Sequence, residues 1–303
     1  MITDCQINLT GRLSPIELAE FNEATERLDN YLVLASPKLA MDPGANEVLG
    51  DFLSTNTKAI GFGVVNPLVK EGQQCPQEVT EKWGIKGFAL YCSKHGFHPA
   101  DSQAMRFYEY ANENSMPIYF YMPEQLDPTD ILEYGRPYLI DEIARNFPDM
   151  KIIISNCGVP FQSETVAVLA KNKNVYSTLP VNPSKWYQTY TLLVRFFEGE
   201  AINKLLFASN YPSHQPNECL ETLLGFNRMI ANTQLPVVPL DEIRKIVNAN
   251  VPKKLSIDLS APPKSEVVDA ETKEPVAQEQ HSSSSENETE EKKGGKEKAK
   301  KKK

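Results

Sequence analysis

Basic charge is not in excess. Lys and Arg number 32 against 40 Asp and Glu in 303 residues, a formal net charge of −8 at pH 7. Residues 259–303 hold ten Lys and ten acids, so the preceding 258 residues carry all of that negative charge. This argues against a nucleic-acid-binding body. No apolar run approaches the roughly 18 residues of a membrane span, and Met1 to Asn8 offers no basic stretch leading into an apolar one. The expectation is a soluble cytoplasmic protein with no membrane partner. The five cysteines (Cys5, Cys75, Cys92, Cys157 and Cys219) are odd in number, far apart and free of any CxxC pair. They suit free thiols in a reducing compartment better than a disulfide framework or a structural zinc site. Under that expectation the N-x-T triplets at Asn8 and Asn287 have no role as glycosylation sites.

Phosphate and serine-hydrolase motifs are missing too. Gly61-Phe-Gly63 lacks the third glycine of a dinucleotide fingerprint, and neither GxxxxGK[ST] nor GxSxG occurs. Residues 259–303 contain no aromatic side chain and run through Pro262-Pro263, Ser282 to Ser285, an acidic cluster and Lys298 to Lys303. Such a composition buries too little apolar area to offset ordering entropy, so this segment reads as a disordered, Lys/Glu/Ser-rich tail. Its lysine end could offer a weak contact to anionic partners, although a solvated solubility tail is the plainer reading.

What is present, over residues 1–258, is alternation. Short apolar runs at 2–9, 31–35, 59–65, 85–92, 117–121, 151–157, 175–179 and 204–209 read as buried parallel strands. Between them lie helical patterns. Ser14-Pro15-Ile16-Glu17 combines an N-cap, a first-turn proline and a capping-box glutamate, opening a helix to about Asp29. Asp101 caps 102–114, and a helix from Pro137 stops before Phe147-Pro148. Others are expected at 46–55, 77–83, 163–171, 184–199 and 216–232, with an additional C-terminal helix at 240–250. The aromatic helix 184–199 is expected to pack the outer ring, part of it lining a homo-dimer interface. Eight strand–helix units in about 250 residues match an α/β fold of the (β/α)8 TIM-barrel type, whose working groups sit at the C-terminal strand ends. No internal repeat shows beyond that alternation.

Those ends carry mostly amides and hydroxyls: Gln6 and Asn8, Ser36, Asn66, Tyr91 and Cys92, Tyr121, Asn156, Ser177 and Thr178, and Asn210. General-base catalysis and metal binding need carboxylate, imidazole or thiolate groups instead. Across residues 2–257 the chain resembles the amidohydrolase-related family of metal-dependent hydrolases and decarboxylases. The resemblance rests on Ile2-Thr-Asp-Cys-Gln-Ile-Asn-Leu, Trp83-Gly-Ile-Lys-Gly-Phe-Ala-Leu, Met116-Pro-Ile-Tyr-Phe-Tyr, the stretch 143–158, Lys204-Leu-Leu-Phe-Ala-Ser-Asn-Tyr-Pro212 and the closing Ile246-Val-Asn-Ala-Asn-Val-Pro-Lys-Lys-Leu. It implies a TIM barrel holding zinc or another divalent metal. It also implies the positions of the ligands: His-x-His on strand 1 becomes Gln6 and Asn8, the strand-5 and strand-6 histidines become Tyr121 and Asn156, and the strand-8 aspartate becomes Asn210.

Neutral amides and a phenol do not compensate the dehydration of a divalent ion. The expectation is therefore a pseudoenzyme with its metal site lost and no cofactor, binding a small polar ligand or a protein at a hydrated cup. Two alternatives are a hydrolase or decarboxylase working without, or with an atypical, metal site, and a tethering protein acting through its tail. Among nucleophiles, Cys92 with His95 and His98 of His-Gly-Phe-His forms a weak pair with no strand-end carboxylate to orient it. His214, four residues past Asn210, is expected near the mouth together with Tyr91.

Overall fold

In the computed structural model, residues 1–68 and 76–259 are described. Cys75 and the tail from residue 260, with Lys298 to Lys303, lie outside them. Eight strands form one parallel sheet in chain order: β1 (Thr3–Leu9), β2 (Asn30–Ala35), β3 (Ala59–Val64), β4 (Gly87–Leu90), β5 (Ile118–Phe120), β6 (Ile152–Ile154), β7 (Val175–Pro180) and β8 (Leu205–Ala208). Nearly every strand residue is buried, because one face fills the barrel while the other packs against helices. Phe62, Tyr119 and Thr178 are among the fully buried residues of this core. The Phe62 ring lies against Gly87, where a Cβ would come within 2.4 Å of it.

The sheet closes without a full ladder between β8 and β1. A parallel bridge joins Ile7 to Tyr211, with the Asn8 N–H donating to the Tyr211 carbonyl at 2.8 Å. Lower in the seam, Asp4 Oδ1 accepts the N–H groups of Ser209 and Gln6, both at 3.1 Å. A side-chain carboxylate thus takes the place of a strand carbonyl. Burial raises its pKa to about 6, against the opposing pull of the Ser209 side chain and the two backbone N–H groups.

The helices are α1 (Pro15–Ala24), α2 (Ala45–Thr55), α3 (Pro76–Trp83), α4 (Cys92–His95), α5 (Ser102–Glu113), α6 (Leu139–Asn146), α7 (Gln162–Lys171), α8 (Trp186–Glu198), α9 (Pro216–Met229), α10 (Leu240–Val247) and α11 (Val251–Lys254). The capping box at Ser14 and Glu17 is present, with Pro15 in the first turn, although α1 ends at Ala24 rather than near Asp29. α10 is the additional C-terminal helix. In α8, Tyr190 and Phe196 are buried in the outer ring while Tyr187 and Phe197 face solvent. Most strands are shorter than their apolar runs, and β5 stops at Phe120, leaving Tyr121 just beyond it. β4 stops at Leu90 and the chain turns at once into α4, so Tyr91 and Cys92 are not strand residues. β6 stops at Ile154, and Asn156 lies in the turn beyond it. The four described cysteines are buried free thiols, and no helix among the described residues is long and apolar enough to cross a membrane.

Candidate functional site

Gln6 and Asn8 on β1 and Tyr121, Asn156 and Asn210 just beyond β5, β6 and β8 converge at the C-terminal end of the barrel, but at two depths. Gln6 is deepest and fully buried. Its Oε1 accepts the Tyr119 hydroxyl at 2.7 Å and the Thr178 hydroxyl at 3.1 Å. Thr178 in turn accepts the backbone N–H of Asn156 at 2.8 Å. Gln6 therefore belongs to a buried polar layer under the cup, in which its Nε2 has no hydrogen-bond partner among the described residues.

Above it the amides form a directed chain. Asn156 Nδ2 donates to the Met122 carbonyl at 2.8 Å, which leaves Asn156 Oδ1 as the acceptor for Asn210 Nδ2 at 3.0 Å. Ser155 fixes the same loop, accepting the Met122 N–H and donating to its carbonyl at 2.6 and 2.9 Å. Asn156 and Asn210 both sit at positive φ (51° and 60°), a region that asparagine tolerates better than most side chains. On the other wall, Tyr121 donates to Asn8 Oδ1 at 3.0 Å, and Asn8 Nδ2 donates to the Tyr211 carbonyl at 3.3 Å. Burial holds the Tyr121 hydroxyl well above its ordinary pKa, so it is a neutral donor. Tyr91 does not line the mouth. It is buried, its hydroxyl donates to the Ala35 carbonyl, and its ring stacks on Tyr121 with centroids 4.7 Å apart.

The mouth itself is a cleft of about 300 Å³ bordered by Asn8, Tyr121, Asn210, His214, Asn182, Lys185 and one carboxylate, Glu124. Strand-end patterning does not single out Glu124, which lies four residues beyond β5 in the loop Met122-Pro123-Glu124; its only signal in the sequence is an acid in a loop close behind a strand end. Its oxygens receive Asn210 Nδ2 at 3.3 Å and Asn182 Nδ2 at 3.5 Å, and His214 Nε2 stands 3.8 Å away. His214 is thus at the mouth, as expected from its place after β8.

Cys92, His95 and His98 lie apart from this cleft. Burial pushes the Cys92 thiol far above its ordinary pKa, and no hydrogen bond among the described residues joins it to either histidine. His95 Nε2 faces the Ala40 carbonyl at 3.3 Å, and burial lowers its pKa, keeping the ring neutral. His98 Nδ1 accepts the Ala100 N–H at 3.1 Å while its ring meets Tyr134 edge-on. Asp101, the carboxylate nearest in sequence, caps α5 instead of orienting an imidazole. Among the described residues no group of three or more His, Cys, Asp or Glu is placed to hold a metal ion.

The comparisons agree with this architecture. Residues 40–250 match the amidohydrolase family, and the chain belongs to it. An uncharacterised TIM-barrel protein from Bordetella bronchiseptica superposes with a TM-score of 0.62 at 16% identity, covering 84% of this chain and 98% of that one. A probable 2-pyrone-4,6-dicarboxylic acid hydrolase from Acinetobacter baumannii, crystallised with citric acid, gives 0.61 at 13% identity over 84% and 99%. The 5-carboxyvanillate decarboxylase of Sphingomonas paucimobilis gives 0.59 at 12% identity over 85% and 99%. Identities this low establish a shared fold. No curated protein matches the chain significantly.

Proposed function

We propose that this chain is an amidohydrolase-family barrel that has exchanged metal-dependent catalysis for binding, and that it holds a small polar ligand in the cup at the C-terminal strand ends. One observation carries the reading: the side chains at the family's metal positions are hydrogen-bonded to one another and to the backbone. Gln6 Oε1, Asn8 Oδ1 and Asn156 Oδ1 each already accept a hydrogen bond from within the barrel. A divalent cation does not fit this donor set. It would compete with those hydrogen bonds for neutral amide oxygens and would find a single bordering carboxylate, Glu124, to offset its dehydration. A cleft of about 300 Å³ is at the lower end of small-molecule sites. In the same proposal the protein is cytoplasmic, and the Lys298–Lys303 end adds a weak contact to anionic partners that truncation after Asp258 would remove.

Elemental analysis of protein purified without added metal tests the proposal. The expected content of zinc, manganese and iron is far below one per chain, with the same melting temperature in the presence and absence of chelator. A panel of esters, lactones and carboxylated aromatics is expected to give no turnover. An ion held at one per chain through dialysis, or turnover abolished by Asn210→Ala, would overturn it.

A further inference from the structure

We infer that the mouth is built for a small aminocarboxylate, a molecule with an ammonium group and a carboxylate group on one short skeleton. The inference rests on reading the mouth as a binding cup and names what the cup takes.

The negative pole is Glu124. Its side chain is about one-quarter exposed, and its contacts are all to groups without a fixed positive charge: the Asn210 and Asn182 amides at 3.3 and 3.5 Å and the His214 imidazole at 3.8 Å. Among the described residues no Lys or Arg is recorded within ion-pairing distance of it. A partly desolvated carboxylate held this loosely has capacity left for a cation. Beside it two buried atoms have no hydrogen-bond partner, Asn210 Oδ1 and His214 Nε2. The orientation of Asn210 is dictated from below, because the Met122 carbonyl takes Asn156 Nδ2 and so obliges Asn210 to present Nδ2 to Asn156 Oδ1. Its Oδ1 is left over next to Glu124. An ammonium group, with three donors and no acceptor, complements a carboxylate and a spare amide oxygen, and it would draw this loose cluster together.

The positive pole is Lys185. It borders the same cleft, is exposed, and makes no ion pair among the described residues. It immediately precedes α8, a helix of 13 residues, whose N-terminal end adds partial positive charge on the same side. Asn182 connects the poles. Its Oδ1 accepts the N–H groups of Ser184 and Lys185 at 3.0 and 3.1 Å, while its Nδ2 points to Glu124. Asn182 thus ties Glu124 to the backbone of Lys185, and the two unlike side chains border one cleft without pairing with each other. An anion alone would meet Glu124, and a cation alone would leave Lys185 unused. A molecule carrying both charges uses both, with Asn8 and Tyr121 available for uncharged polar atoms.

The test is calorimetric titration of the full-length chain with glycine, β-alanine, 4-aminobutyrate and 6-aminohexanoate. Each is paired with the carboxylic acid lacking its amine and the amine lacking its carboxylate. At least one aminocarboxylate is expected to bind saturably, and each of its truncated analogues at least roughly tenfold more weakly, the scale of one lost charged contact. Glu124→Gln should abolish the preference over the deaminated analogue, and Lys185→Ala the preference over the amine, with melting temperatures confirming that both variants fold. Acids that bind as tightly as their amino counterparts, no binding across the series, or unchanged selectivity in Glu124→Gln would overturn the ligand class alone. Binding that requires added zinc or manganese would instead overturn the metal-free reading beneath it.

Discussion

The Gln6 layer and the Glu124 mouth are both polar regions enclosed by the same eight strands, and they are held together differently. In the lower layer the Gln6 Oε1 and Asn156 N–H contacts to Tyr119 and Thr178 lie between 2.7 and 3.1 Å among fully buried groups, with longer Tyr119 contacts at 3.4 and 3.5 Å and Gln6 Nε2 left without a partner. Around Glu124 no contact is shorter than 3.3 Å, and two neighbouring atoms likewise lack partners. The difference separates these strand-end residues into two environments. Gln6 lies in the core, where a good hydrogen bond is worth more and a missing one costs more. Asn210, with Asn8 and Tyr121 on the opposite wall, borders the open cleft, and its buried Oδ1 is left without a partner.

The contrast is sharpest in stability. Gln6→Ala removes the acceptor shared by two buried hydroxyls and opens a cavity, and is expected to lower the unfolding free energy by about 4 kcal/mol in urea titrations. A loss under about 1 kcal/mol would mean that the lower layer is as loosely held as the mouth.

Asp4 gives the next largest effect, with the opposite sign. Its folded pKa of about 6 exceeds the unfolded value of 3.8. The folded state therefore retains its proton where the unfolded chain has released it. The stability this contributes is complete below about pH 4 and is lost as pH rises through about 6. Near neutrality the ionised carboxylate costs about 3 kcal/mol. Asp4→Asn keeps an Oδ1 acceptor for the Gln6 and Ser209 N–H groups, so it should melt higher than the parent at pH 7. The two curves should converge near pH 4. A parent chain that stays the more stable at pH 7 would show that the carboxylate is needed charged at the seam.

At the mouth the expected effects are small. Tyr121→Phe removes one hydrogen bond to Asn8, which has water within reach, and should cost about 1 kcal/mol. Glu124→Gln should change stability by less than about 0.5 kcal/mol, as for a loosely paired surface charge. A larger loss in the second variant would place Glu124 with the structural layer and erase the distinction drawn above.

Much of this was legible in the sequence for reasons that can be named. The β-branched apolar runs announced the strands because a residue buried on both sides has to be apolar, and Ser14, Pro15 and Glu17 announced α1 because the capping geometry is local. Gln6 and Asn8 are placed by alternation along β1, whereas Tyr121, Asn156 and Asn210 lie just past their strands and are assigned to the same end by the family resemblance. What escaped was non-local. Asp4 reads as one polar residue in a strand, and only closure of the barrel shows it standing in for a ladder bond to Ser209. Tyr91 and Cys92 prolong an apolar run past Leu90, so the turn into α4 is hidden by burial on both sides of it. Glu124, Asn182 and Lys185 lie on separate loops, and nothing in their sequence spacing brings them to one cleft.

Titration of chelator-treated protein with zinc and manganese tests the central claim most directly. The account predicts no saturable heat from either ion. One-site binding that disappears in Asn210→Ala would contradict it, because it would show that the amides at the strand ends still grip a metal.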